Sequence, residues 1–311
     1  MSVTAAQGFR AAGVRAGLKA SGKPDLALVV NDGPLDTAAG VFTTNRVVAA
    51  PVVWSRRLLA GREGGQPGHA RAVVLNSGSA NACTGAQGLR DTEATAARAA
   101  GLVGIEPDQV LVCSTGVIGE RIDMPVLLEG VDVAALALAD TPQAGTDAAT
   151  AIMTTDTVSK EDALTVGAGE QSWTIGGMIK GVGMLAPGLA TMLAVITTDA
   201  VLTPQQAQDA LTSAATRTVN RINSDGCMST NDTVVLLASG ASGTTPSQDE
   251  LDEALTEVMS RLGRRLVADA EGATHDIAIT VSGAVSEEAA EAAARTVSSS
   301  NLLKCAVAGA D

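Results

Sequence analysis

Four aromatic side chains, Phe9, Phe42, Trp54 and Trp173, serve a chain of 311 residues that has no tyrosine, although 46% of it is hydrophobic. The interior therefore has to be filled with Ala, Val, Leu, Ile and Met. At this length the chain buries a substantial core, as one large domain or two smaller ones. The same shortage removes the aromatic platforms on which single-stranded nucleic acid stacks. Charge points the same way, since 34 acidic residues against 21 Lys and Arg give a net charge of −13, and the basic residues are scattered. Such a surface repels phosphate backbones, so an anionic substrate must be caught by a local lysine or arginine.

Runs rich in Val, Ile or Leu, bounded by Gly, Asn, Asp or Ser, predict strands at 26–30, 70–75, 110–113, 192–198, 233–238 and 276–281. Thr203 followed by Pro204 predicts a helix with a threonine N-cap, extending to about residue 220. A second helix starts near Ser247, and a third follows Ser286 with acidic residues in its first turn. Residues 61–69 and 240–248 read as surface loops, as does the polar stretch before Trp173. Helices and strands do not alternate regularly, which favours an α+β layered arrangement over a doubly wound parallel sheet.

Cys83, Cys113, Cys227 and Cys305 are far apart and form no ligand spacing with His69 or His275. No metal site is expected, and the thiols are read as buried or inert. His69 is expected on a solvated loop, and His275 in a structural role ahead of a strand. No signal peptide or membrane span is recognisable, so the chain is expected to be cytoplasmic.

Residues 180–200, KGVGMLAPGLATMLAVITTDA, place Thr191 between a glycine-rich, proline-interrupted approach and an apolar run. A threonine so placed could attack its own preceding carbonyl and break the bond between Ala190 and Thr191. The new N-terminus would carry a hydroxyl nucleophile and, in its own α-amine, the base to activate it. The GxGxxA pattern at Gly181, Gly183 and Ala186 fits a dinucleotide fingerprint poorly, because Pro187 and Gly188 interrupt the helix it requires. No GxxxxGK[ST] phosphate loop occurs. Ser114, Thr115 and Gly116 follow an apolar strand directly, and could either aim backbone N–H groups at an oxyanion or form a plain turn. Residues 76–81 and 229–233 read equally well as turns capped by their own side chains.

Several strings occur in order along the chain: GVFTTNRVVAAPV (40–52), NSGSANACTG (76–85), STGVIGE (114–120), AIMTTDT (151–157), KGVGMLAPGLATML (180–193), STNDTV (229–234) and DAEGATH (269–275). In these the chain closely resembles the ornithine acetyltransferase family, also called glutamate N-acetyltransferase. The resemblance implies a self-cleaving enzyme of N-terminal-nucleophile type, with helices layered over paired β-sheets. Cleavage between Ala190 and Thr191 would give an α chain, 1–190, and a β chain, 191–311, assembling as α2β2. Thr191 would be the nucleophile, with Thr115 and Gly116 at the oxyanion hole. Thr154, Lys180, Thr191 and Glu271 match substrate-contact positions, Lys180 suiting a carboxylate and Glu271 an ammonium. The implied reaction moves acetyl from N2-acetylornithine to glutamate in arginine biosynthesis, without metal or prosthetic group. Some family members also accept acetyl-CoA as donor.

Two departures stand out. Ser79 replaces a family asparagine, and the chain stops at CAVAGAD (305–311), where family members continue through a Pro-Asn-Trp-Gly-Arg motif. The chain is therefore expected to be truncated relative to the family. The alternatives are an aminopeptidase-like amide hydrolase on the same self-cleaving architecture, and a catalytically incomplete homologue.

Overall fold

The computed structural model describes residues 2–62, 64–184 and 192–310. Its first sheet joins β1 (Phe9–Val14), β2 (Leu26–Asn31), β4 (Ala72–Ser79) and β5 (Val110–Val117) in the order β1-β2-β4-β5. The second joins β3 (Thr37–Phe42), β6 (Lys160–Val166), β7 (Trp173–Lys180), β8 (Leu193–Thr198) and β9 (Thr233–Ala238) in the order β3-β9-β8-β7-β6. Pairing is antiparallel except between β4 and β5 and between β8 and β9, so both sheets are mixed.

Alternation along the strands divides the core. Met178, Leu193, Val195, Val235 and Leu237 face the first sheet and share one cluster with Val29, Val73 and Leu111. Their neighbours Ile179, Ala194, Ile196, Val234 and Leu236 point the other way, onto α5 (Pro204–Arg217) and α6 (Gln248–Ala268). On the far side of the first sheet lie α1 (Ala50–Leu59), α2 (Gly85–Val103) and α3 (Met124–Leu136), while α4 (Pro142–Ala151) packs on β1 and β2. The result is the expected α+β sandwich, with helices covering paired sheets.

The interior is aliphatic, as the aromatic shortage requires. Small residues bring backbones unusually close. A Cβ on Gly13 of β1 would stand 2.0 Å from the Asp147 carbonyl oxygen of α4. The few aromatics are anchors, and Trp54 on α1 donates its indole N–H to the Val110 carbonyl at 2.9 Å.

The expected helix starts are present. Thr203, Ser247 and Ser286 each accept a backbone N–H of the first turn, from Gln206, Glu250 and Ala289. Residues 276–281 are a correction, for they form no strand and Ile277 is exposed. Their alternating pattern suits a ladder, but no described residue pairs with them. The helices that follow, α7 (Glu287–Ser298) and α8 (Asn301–Gly309), bury no residue.

His69 is a second correction. It is half-buried, with Nδ1 2.7 Å from Asp36 Oδ1, rather than loosely solvated. His275 is exposed, and its Nδ1 lies 2.9 Å from the adjacent Thr274 hydroxyl. Of the cysteines Cys113 alone is buried, and burial pushes its thiol up to about 12. Cys83, Cys227 and Cys305 are exposed.

Candidate active site

The three polar loops that sequence reasoning left separate meet at one end of the two sheets. The parallel register of β4 and β5 sets Asn76 beside Ser114, Ser77 beside Thr115 and Gly78 beside Gly116. The Ser114 hydroxyl donates to Asn76 Oδ1 at 2.5 Å, and Asn76 Nδ2 donates to the Ser79 carbonyl at 2.9 Å. From the other sheet, Asn231 Nδ2 donates to the carbonyls of Ala80 (2.6 Å) and Ser114 (2.8 Å). One amide thus clamps the ends of β4 and β5 to the residues leading into β9. Ser79 keeps a turn role despite its shorter reach, since its hydroxyl accepts the Asn81 N–H at 3.2 Å.

Gly116 is fixed by close approach. Its φ is +131°, and a Cβ there would lie 2.4 Å from the Gly78 carbonyl carbon, so only glycine fits. Gly116 is exposed while Thr115 is buried, which puts the turn at the boundary between core and solvent.

Lys180, the last residue of β7, is buried, and its Nζ donates to Thr115 Oγ1 at 3.2 Å. Burial lowers its ammonium pKa to about 8; the like charges of Lys160 and Lys19 add to this, and Asp156 and Asp232 oppose it. Asp156 is buried too. It accepts from Lys160 Nζ (2.7 Å) and the Gly181 N–H (2.8 Å) on one oxygen, and from the Thr154 N–H (2.9 Å) on the other. Burial works to raise the Asp156 carboxyl, but Lys180, Lys160 and the Thr154 N–H outweigh it and hold it below the usual carboxylate range.

Lys160 reaches a second carboxylate, Asp269, at 2.6 Å, and Asp269 also accepts the Thr157 N–H at 3.1 Å and the Thr157 hydroxyl. Two residues on, the Glu271 N–H donates to the Val182 carbonyl at 2.7 Å. Glu271 Oε2 stands beside Gly183, 3.3 Å from where a Cβ would sit. Glu271 also lines a cavity of about 370 Å3 with Arg221, His275 and Lys304, which Thr115, Thr154 and Lys180 do not line.

Ala190 and Thr191 lie outside the described residues, as does the bond between them. The next residue, Met192, is pinned in the core. Its N–H donates to Asp232 Oδ1 at 3.1 Å and its carbonyl accepts the Thr233 N–H at 3.1 Å. Leu193 is paired with Lys180 across β7 and β8 and with Thr233 across β8 and β9. Burial lifts the Asp232 carboxyl well above the usual range, against the Met192 N–H, the Ser229 hydroxyl and the field of Lys180. Asp232 Oδ2 is buried without a partner among the described residues.

The structure thus gathers Thr115, Gly116, Thr154 and Lys180 around the β7–β8 junction, with Glu271 on an adjoining strap. Sequence reasoning missed Asp156, Lys160, Asp269, Asn231 and Asp232 as parts of this arrangement. Among the described residues, no group of three or more His, Cys, Asp or Glu side chains is placed to hold a metal ion.

Comparison with known proteins gives a consistent result. Residues 10–311 match the ArgJ family. The chain is 59% identical over 312 residues to the arginine biosynthesis bifunctional protein ArgJ of Bifidobacterium longum, covering all of this chain and 78% of that protein. It is 55% identical to the same-named protein of Streptomyces coelicolor, with the same coverage of 100% and 78%. Among solved structures, ornithine acetyltransferase of Mycobacterium tuberculosis complexed with ornithine is 50% identical, with TM-score 0.56 over 62% of this chain and 96% of that one. The L-aminopeptidase D-Ala-esterase/amidase of Ochrobactrum anthropi, a variant of the Ntn hydrolase fold, is 13% identical with TM-score 0.52 over 88% of each chain. That last likeness shows the fold alone.

Proposed function

The chain belongs to the ArgJ family and is an acetyltransferase of arginine biosynthesis, and from that premise we propose that Thr191 carries the acetyl group between its substrates. N2-acetylornithine is the donor and glutamate the acceptor. The Thr191 hydroxyl adds to the acetyl carbonyl while its proton passes to the α-amine freed by cleavage after Ala190. The tetrahedral oxyanion is met by donors at Thr115 and Gly116. As the adduct collapses, the C–N bond breaks, ornithine leaves with a returned proton, and Thr191 is left as an acetyl ester. The amine of glutamate then attacks that ester through the same oxyanion, regenerating the hydroxyl.

The observation that most supports this reading is the pinning of Met192. With its N–H on Asp232 and Leu193 paired to Lys180, the residue bonded to Thr191 is anchored beside the lysine that reaches Thr115. Lys180 suits the carboxylate shared by both substrates and Glu271 the side-chain ammonium of N2-acetylornithine, with Thr154 as a further contact. The relatives' designation as bifunctional supports a second activity. Acetyl-CoA in place of N2-acetylornithine is the donor we propose for it, with no resident cofactor. We further propose α2β2 assembly of the cleaved chains in the cytoplasm.

Intact mass under denaturing conditions is expected to give two fragments, split before Thr191. Brief exposure to N2-acetylornithine should then add one acetyl group to the fragment that begins with Thr191. An uncleaved chain, or a cleaved one that takes no acetyl, would falsify the mechanism. Acetate release independent of glutamate would mark a hydrolase instead.

A further inference from the structure

The sequence holds five lysines, and the charges of three of them, Lys19, Lys160 and Lys180, act on one buried carboxylate, Asp156, which Lys160 touches directly. Asp156 lies between α4 and β6, and its side chain and that of Lys160 are both 0% exposed. Its oxygens are committed to Lys160 Nζ, the Gly181 N–H and the Thr154 N–H. Gly181 directly follows Lys180, so the carboxylate grips the backbone at that lysine without collapsing onto its ammonium. The ammonium is left with the Thr115 hydroxyl as its acceptor among the described residues, and retains N–H donors for a ligand. Through Lys160 the same carboxylate is joined to Asp269, two residues before Glu271.

We propose that Asp156 is the positioning residue of the site at Lys180. It keeps Lys180 charged and aimed at Thr115, and through Lys160 and Asp269 it ties down the strap that carries Glu271, so that a carboxylate anchor and an ammonium anchor are set by one buried group. The inference rests on the reading of Lys180 and Glu271 as the substrate's two anchors. Its physical basis is that a lysine so deeply buried sheds its proton unless a negative charge stands near. The groups facing Lys180 are Asp156 and Asp232, which favour its charge, and Lys160 and Lys19, which oppose it.

The two central neighbours therefore push in opposite directions, and that gives a test. In enzyme labelled with [13Cε]lysine, five resonances can be followed against pH, with Lys180 assigned by its loss in Lys180→Arg. In the wild type Lys180 should titrate near 8. In Asp156→Asn its midpoint should fall by about one pH unit, a tenfold change in proton affinity, and Asp156→Glu should restore it. In Lys160→Gln the midpoint should rise instead. A merely structural role would loosen the site in both variants and carry both midpoints upward toward the ordinary lysine value. An Asp156→Asn midpoint that stays or rises overturns the proposal. Should that variant not fold, an unmoved midpoint in Lys160→Gln overturns it, and a rise that stops short of the ordinary lysine value supports it. The titration needs no turnover, so it stands or falls separately from acetylation of the Thr191 fragment.

Discussion

The Thr115 hydroxyl accepts from Lys180 Nζ at 3.2 Å, which leaves its own proton free to donate. A hydroxyl polarised by an ammonium and fixed at the end of β5 is a ready donor to a developing oxyanion. Thr115→Ala removes both the donor and the one described acceptor of Lys180, and is expected to lower kcat about 100-fold. Thr115→Ser should recover most of that loss, because it restores the oxygen without changing the register of β4 and β5. Steady-state acetyl transfer from N2-acetylornithine to glutamate measures both variants, and a loss smaller than about tenfold in Thr115→Ala removes the hydroxyl from the oxyanion hole. Residues 114–116 read in the sequence either as an oxyanion-facing turn or as a plain one, and family resemblance chose between the two. Asp156, Lys160 and Asp269 were not visible as partners at all. Lys160 and Asp269 stand 109 positions apart, and no local spacing encodes that pairing. The one available sign was scarcity, since a chain with five lysines has no reason to sink one into an apolar strand such as IGGMIK unless its charge is used.

Elements with strong local chemistry were legible, and those defined by packing were not. The Thr203 cap and Pro204 announce α5, whose buried face is Ala207, Ala210, Leu211, Ala214 and Ala215. Thr203 itself is exposed, and its hydroxyl accepts the Gln206 N–H at 3.3 Å while Gln206 Oε1 accepts the Thr203 N–H at 3.1 Å. Thr203→Ala therefore tests the cap with little disturbance of the core. It should cost about 1 kcal/mol by urea unfolding, while Thr203→Ser costs a few tenths. Equal midpoints for wild type and Thr203→Ala would show that packing alone starts the helix. Helix α2 escaped sequence reading because its inner face is Ala96, Ala99 and Ala100 beside Asp91, Thr92 and Thr95, which blurs any apolar period. Strand β7 was hidden by Gly176 and Gly177 in its middle. Residues 276–281 failed in the opposite sense: Ile277, Ile279 and Val281 alternate as a strand should, but a strand also needs a neighbour, and alternation says nothing about that.

For the whole molecule, the buried ion chain makes stability depend on pH with a sign that can be worked out. Burial acts to raise Asp269, but Lys160 and the Thr157 N–H and hydroxyl hold it below its ordinary value of 3.8, and Asp156 is lowered likewise. A carboxyl depressed in the folded state releases its proton more readily there than in the unfolded chain. Its stabilising contribution is therefore complete above about pH 4 and disappears as pH falls through the folded value. Asp232 acts in the opposite sense, because its raised folded pKa means that folding is disfavoured as pH climbs above the ordinary value. Acid should thus undo the Asp156–Lys160–Asp269 chain, which ties the strap at Glu271 to β6, while relieving the buried carboxylate next to β8. Asp269→Asn separates the two effects. The variant should have a lower Tm than the wild type at about pH 6, and the gap should narrow as both are taken to about pH 3. Calorimetric Tm values across that range that run parallel for the two proteins would mean that Asp269 carries no pH-linked stability. The strap would then be held by the 2.7 Å backbone bond from Glu271 to Val182, with the ion pair secondary.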